Sequence, residues 1–160
     1  MKSLKSYFDG KEPINGSYFL LGIDGRGGAG KTTLCEYLAP LLPGYFLLHG
    51  DIYFEPTPDG PAFGAFNAER FTEEIINPAN AGNREIDFQD FDWSIQGLRE
   101  KISVRISSGL IIDRWLSFAL PINWDLRIWV DAPPSTTLAR GLHRHDPSQE
   151  IERIWRDRKC

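Results

Sequence analysis

The string Gly25-Arg26-Gly27-Gly28-Ala29-Gly30-Lys31-Thr32 limits what this chain can fold into more than any other stretch of its 160 residues. It has the spacing GxxxxGK[ST], with an apolar run before it, Tyr18 to Asp24, and a helical pattern after it, as the motif requires. The run YFLLGID reads as a fully buried parallel strand. The helix is expected to begin near Lys31, run through TTLCEYLAPLL and stop by Pro43-Gly44. Glycines let the backbone curl until successive N–H groups face one anion, and the helix start adds its positive dipole end. Gly25, Arg26, Gly27, Gly28, Ala29, Gly30, Lys31, Thr32 and Thr33 are therefore candidate contacts to a nucleotide. Lys31 would reach the β- and γ-phosphates, the Thr32 hydroxyl would hold the magnesium ion that bridges them, and Thr33 is expected to pack. ATP and Mg2+ are the cofactors this arrangement implies.

The rest of the chain adds further strands that end in acids. Tyr45 to Leu48 leads into His49-Gly50-Asp51, GLIID ends at Asp113, and LRIWVD ends at Asp131. Buried strands alternating with helices predict a doubly wound, three-layer α/β/α domain with a mostly parallel sheet, the P-loop NTPase arrangement, and ligands at the carboxyl ends of the strands. The Pro- and Gly-rich string EPTPDGPAFGAFN (55–67) reads as a loop that could cover the substrate, and AERFTEEIINPA as a helix. IDFQDFDW alternates like a half-buried strand or extended segment, SIQGLREKISVRISS has a weak helical rhythm, and the tail STTLARGLHRHDPSQEIERIWRDRK is polar and helical.

With 41% hydrophobic and 25% charged residues, residues 1–160 are expected to form one domain that needs no disulfide framework. A net charge of −4 argues against a broad grip on nucleic acid or an anionic membrane, so the expected partners are a nucleotide and a small-molecule substrate. Cys35 and Cys160 read as reduced thiols. No apolar run approaches a membrane span, and MKSLKSYFDGKEP is too polar for a signal-peptide core, so the expected location is the cytoplasm.

Phosphoryl transfer needs a carboxylate near the attacking hydroxyl, support for the metal, and positive charge around the transferred group. Asp51 is the candidate base, or else a cap on the following turn, and Tyr53 and Phe54 would offer an aromatic face to the substrate. Asp113 is the candidate acid on the metal side. Arg114 beside it is either a substrate contact or the ion-pair partner of Asp113. Asp92 and Trp93 could hold ribose-like hydroxyls, or Asp87, Asp90 and Asp92 could form a solvated face. Arg140 and Arg144, four apart in a lid region at about 138–148, could close two guanidinium groups over the phosphates, the alternative being a solvated basic helix. Arg70, Arg84, Arg99 and Arg105 could instead grip a phosphate on the substrate, as a nucleoside monophosphate kinase requires. His49, His143 and His145 lack metal-site spacing and receive no role.

The set GRGGAGKTT, GDIYF, FDW, LIID and DLRIWVDAPPSTTLARGLHRHD resembles the uridine kinase and phosphoribulokinase-like group of P-loop kinases, over roughly 18–158. The resemblance implies an ATP-dependent kinase acting on a hydroxyl of a small molecule, with a nucleoside such as uridine favoured. It places the catalytic base at Asp51, the sugar-touching acid at Asp92, and the lid arginines at Arg140 and Arg144. Trp93 stands where that group has a His-Pro pair, Asp113-Arg114 where it often has Glu-Gly, and His145 where its lid has an acid. The group's fifth strand, beside adenine, is expected to be missing. That leaves open a binding protein without turnover, and a homo-oligomer that covers the exposed edge.

Overall fold

The computed structural model describes residues 8, 11–14, 17–57, 64–114 and 119–144. In chain order these form strand β1 (Phe19–Gly25), helix α1 (Lys31–Leu38), strand β2 (Tyr45–His49) and the short strands β3 (Phe54–Glu55) and β4 (Ala65–Phe66). Helices α2 (Ala68–Phe71) and α3 (Asn77–Asn80) follow, joined by a π turn at Thr72–Ile76. Then come β5 (Glu85–Phe88), β6 (Phe91–Asp92), β7 (Gly97–Leu98), β8 (Ile102–Arg105), β9 (Gly109–Asp113), β10 (Leu126–Val130) and α4 (Pro134–Arg144).

The central sheet has the order β10-β1-β9-β2 and every pairing is parallel. Parallel strands need covered faces, and β1 and β9 are buried at every position, which is why both read as unbroken apolar runs. Alternating side chains divide between two cores. Leu21, Ile23 and Ile111 pack with Cys35, Leu38 and Leu42 under α1, whereas Leu20, Leu110 and Ile112 pack with Tyr53, Phe71, Ile75, Ile86 and Phe88 on the other face. This is the layered architecture expected from the strand and helix pattern. Burial raises the pKa of the Cys35 thiol strongly, so that group is a packing element and no nucleophile.

The helix expected over AERFTEEIINPA is present, with one irregularity of clear origin. Pro78 has no N–H to donate to the carbonyl four residues back, and the turn ahead of it widens to the π form. The helical rhythm of SIQGLREKISVRISS is not realised. Gly97 and the β-branched alternation Ile102, Val104, Ile106 favour extended chain, and β8 pairs antiparallel with β5, burying Ile86 and Phe88. Here cross-strand packing outweighs a helical period too weak to bury a face.

Register decides where the chemistry can sit. Ile23 and His49 both lie opposite Asp113, and Gly25 lies opposite Val130, so all four strands finish at one edge. A cavity of about 460 Å³ lined by Tyr18, Arg84, Arg105 and Ser107 lies at the other, amino-terminal edge. Arg84 and Arg105 are thereby removed from any part in gripping a substrate phosphate at the carboxyl edge. Because Ile112 is fully buried where β1, β9 and the second core meet, Ile112→Ala is expected to cost about 2–5 kcal/mol, read as a lower urea midpoint at unchanged slope.

Candidate functional site

The loop from Gly25 to Gly30 turns from β1 into α1, with Gly25, Gly28 and Gly30 at positive φ. Two of these glycines are obligatory. A Cβ on Gly25 (φ 142°) would stand 2.0 Å from the Val130 carbonyl oxygen, and one on Gly28 (φ 76°) would stand 2.7 Å from that of Thr137. The Lys31 ammonium folds back into the loop, donating to the carbonyls of Gly25 at 2.8 Å and Arg26 at 3.1 Å. Burial lowers its pKa, opposed by the carboxylates of Asp51, Asp113 and Asp24. Helix α4 lies against the loop, and Arg140 reaches the carbonyls of Gly28 at 3.3 Å and Ala29 at 3.5 Å. Arg144 ends that helix, while His145 lies outside the described residues. Thr33 is exposed and does not pack as expected, because the following turn of α1 directs Leu34 and Cys35 to the core instead.

On the α1 side of the sheet the Thr32 hydroxyl donates to Asp113 Oδ2 at 3.0 Å, and His49 Nδ1 lies 2.7 Å from Asp113 Oδ1. A hydroxyl and a buried carboxylate at the mouth of a phosphate loop are the oxygen donors that magnesium takes when nucleotide phosphates and water complete its shell, so the residues fit that ion. No cluster of three or more His, Cys, Asp or Glu able to hold a metal alone occurs among the described residues.

The opposite side of the same edge is different. Arg114 is 6% exposed and follows Asp113 on β9, so its side chain leaves the sheet on the face that Asp113 does not use. Its stem presses on Gly50, where a Cβ would stand 2.8 Å from Arg114 Cβ, and its guanidinium lies over the Phe66 ring. Asp113 is therefore not its ion-pair partner. Burial brings the guanidinium down to about 10, against the pull of Asp24 and Asp51. Asp51 stands on the 3₁₀ turn Gly50–Tyr53, open to solvent. Although the residue as a whole is exposed, its carboxyl is partly desolvated by the surrounding protein, and this together with the nearby Asp113 raises its pKa above the ordinary carboxylate range, while Lys31, His49 and Arg114 pull it back.

Tyr53 does not form part of an aromatic face. It is fully buried, donates to Glu74 Oε2 at 3.0 Å, and packs on Phe66 and Phe71. The partly buried Phe54 pairs with Phe66 instead, across β3 and β4. Arg70 is likewise committed to the framework and does not grip a substrate phosphate. It donates to Glu55 Oε1 (2.6 Å), Glu74 Oε2 (3.1 Å) and the carbonyls of Gln89 and Ile52, and stacks on Tyr53. Asp92 accepts from Ser94 and from Arg99 at 2.6–2.9 Å, which holds its pKa down to about 2 and uses Arg99 as well. Trp93, next in the chain, is exposed beside Gly64. Two groups at this edge had no role from sequence, Asp24 and His49. Asp24 did carry a signal, since it closes YFLLGID as Asp113 closes GLIID.

The sequence pattern of the AAA domain matches residues 21–160. The chain belongs to the AAA domain family. No curated protein matches it. The AAA domain is similar in structure to a candidate uridine kinase from Bacillus stearothermophilus, at 16% identity and TM-score 0.65, covering 98% of this chain and 89% of that one. It is also similar to a candidate fructose transport system kinase from Silicibacter sp., at 18% identity and TM-score 0.71, covering 96% and 88%. At these identities the likeness establishes the fold alone, a P-loop NTPase α/β domain, consistent with the group resembled in sequence. No described helix is long and apolar enough to cross a membrane.

Because Arg70, on α2, ties the Asp51 turn through the Ile52 carbonyl to Gln89, the residue after β5, Arg70→Ala is expected to lower stability by about 2–3 kcal/mol in urea titrations, leaving Glu55 and Glu74 without their cation.

Proposed function

We propose that this AAA domain is a small-molecule kinase that moves the γ-phosphoryl group of MgATP to a hydroxyl. The observation that carries the reading is the position of Asp51, within electrostatic reach of both Lys31 and Asp113 yet open to solvent where an acceptor can arrive. The backbone N–H groups of the loop from Gly25 to Gly30 bind the phosphates, and Lys31 exchanges the carbonyls of Gly25 and Arg26 for β- and γ-oxygens. Thr32 and Asp113 would hold a magnesium ion, which would supply neutralisation of the charge on the nucleotide phosphates. Asp51 accepts the proton of the acceptor hydroxyl as its oxygen bonds to the γ-phosphorus and the bond to the ADP oxygen breaks. Arg140, and Arg144 one helical turn further on, stabilise charge on the transferred group.

The acceptor is a small alcohol lodged between Asp51 and the Phe54–Phe66 wall, with Trp93 on the rim. A nucleoside is the acceptor that the sequence resemblance favours. The protein works in the cytoplasm.

Calorimetry with MgATP, paired with an ADP-release assay over nucleosides, nucleoside monophosphates, sugars and small alcohols, tests this reading. Lys31→Ala should weaken ATP binding at least tenfold, and one acceptor class should stimulate ADP release. ATP binding with no acceptor stimulating turnover would sink the kinase reading in favour of a nucleotide-binding module.

A base must be ionised to act, so kcat/KM should rise with pH through a midpoint above the ordinary Asp value. The same raised pKa has a consequence for stability. A folded carboxyl that binds its proton more tightly than the unfolded one is destabilising above both values; the effect fades as pH falls through the raised folded value and is gone below the unfolded one. Asp51→Asn should abolish turnover while keeping ATP binding and leaving the melting temperature at pH 7 equal to or above that of the wild type. A clear loss of stability would show Asp51 to be a turn cap instead.

A further inference from the structure

We propose that the acceptor carries an oxyanion, a phosphate or a carboxylate, in addition to its reacting hydroxyl, and that Arg114 binds it in the notch formed by Gly50, Phe54 and Phe66. The inference rests on the kinase reading above and adds the chemical class of the substrate, an anionic acceptor in place of the neutral nucleoside that the sequence resemblance favours.

The carrying observation is that Nε and Nη1 of Arg114 are buried and make no hydrogen bond. A guanidinium has five N–H donors in a planar fork, and leaving buried donors unbonded costs the full desolvation of each. Folding does not demand this arrangement, because an apolar side chain would fill the notch between two phenylalanine rings without that cost. The group stays protonated at neutral pH. Asp24 and Asp51 act on it electrostatically, yet neither fills those donors. Asp113, adjacent in sequence, is turned through the sheet to Thr32 and His49.

Lys31, the other cation acting on Asp51, donates to the carbonyls of Gly25 and Arg26 in the phosphate loop, and several arginines are occupied or distant. Arg70 is held by Glu55, Glu74 and two carbonyls, Arg99 by Asp92, and Arg140 faces the phosphate loop. Arg84 and Arg105 line the cavity at the far edge. Arg114 is thus the cation beside Asp51 with donors to give, and its fork matches a carboxylate or phosphate in the bidentate manner. Gly50 is part of the same device, since any Cβ there would push the Arg114 stem out of place. Access is through Phe66, whose strand β4 is held to β3 by a two-residue ladder. So short a ladder puts up little backbone resistance to opening, and anion binding draws Phe66 off the guanidinium against its ring contacts with Tyr53, Phe54 and Phe71.

The test uses the full chain saturated with MgADP, so that the phosphate loop is filled. Inorganic phosphate and acetate are titrated separately, read by calorimetry and by thermal shift. Wild type is expected to bind one of them at least tenfold more tightly than Arg114→Lys, which keeps the charge facing Asp24 and Asp51 but loses the fork. Phosphate as the tighter ligand assigns a phosphorylated acceptor, and acetate a carboxylated one. In parallel, ADP release is followed with matched acceptors: glucose, glucose 6-phosphate and gluconate, and uridine with uridine 5′-monophosphate. The ratio of kcat/KM for the anionic over the neutral member should exceed about ten in wild type and collapse toward one in Arg114→Lys and Arg114→Met. Equal anion binding by wild type and Arg114→Lys, or a ratio that survives in Arg114→Met, overturns the proposal. Failure of MgADP to bind strikes the kinase reading itself, whereas failure of the anion with MgADP bound strikes only the role of Arg114.

Discussion

Everything at the functional edge depends on β9 being paired on both sides, with Asp113 level with Ile23 of β1 and His49 of β2. That register puts the last residue of β9 under the first turn of α1, where Thr32 can reach it, and sends the next residue through to the opposite face. A one-residue slip would exchange the faces and leave Arg114 toward the phosphate loop and Asp113 in the apolar notch.

The sheet edge therefore works as a partition. On one side lie the phosphate loop, Lys31, Thr32, Asp113 and His49, and on the other lie Asp24, Arg114 and the aromatic pair Phe54 and Phe66. Asp51, on a short 3₁₀ turn at the carboxyl end of β2, borders both and feels charges from each. The frame that holds this turn is polar as well as apolar. Arg70 binds the Ile52 carbonyl, Glu55, Glu74 and the Gln89 carbonyl at once, while Tyr53 is sealed into the core beneath. A network this fully bonded holds a single geometry, the condition under which a carboxylate can meet a substrate without reorganisation.

Against that background the unbonded nitrogens of Arg114 are an arrangement that folding alone does not account for. The surroundings of Arg70 and Asp92 show that this chain satisfies its charged groups where their role is structural. Buried polar donors left open beside a candidate base fit the general pattern in which local rules fail at sites of function.

The sequence by itself determined the phosphate loop, because the glycines, Lys31 and Thr32 act through backbone curl and helix start, which are local. It also determined the parallel layered fold, since runs such as GLIID and YFLLGID can be buried on both faces in few other ways. It did not determine β7 and β8, where a weak helical rhythm yielded to pairing with β5, nor the enclosure of Tyr53, nor the commitment of Arg70 and Arg99. Those outcomes depend on partners 7 to 21 residues away or further, whose distance in space is set by packing and register. Whether Asp113 and Arg114 pair with each other was likewise beyond the sequence, because neighbours on a strand point to opposite faces and only the assembled sheet decides what each face meets.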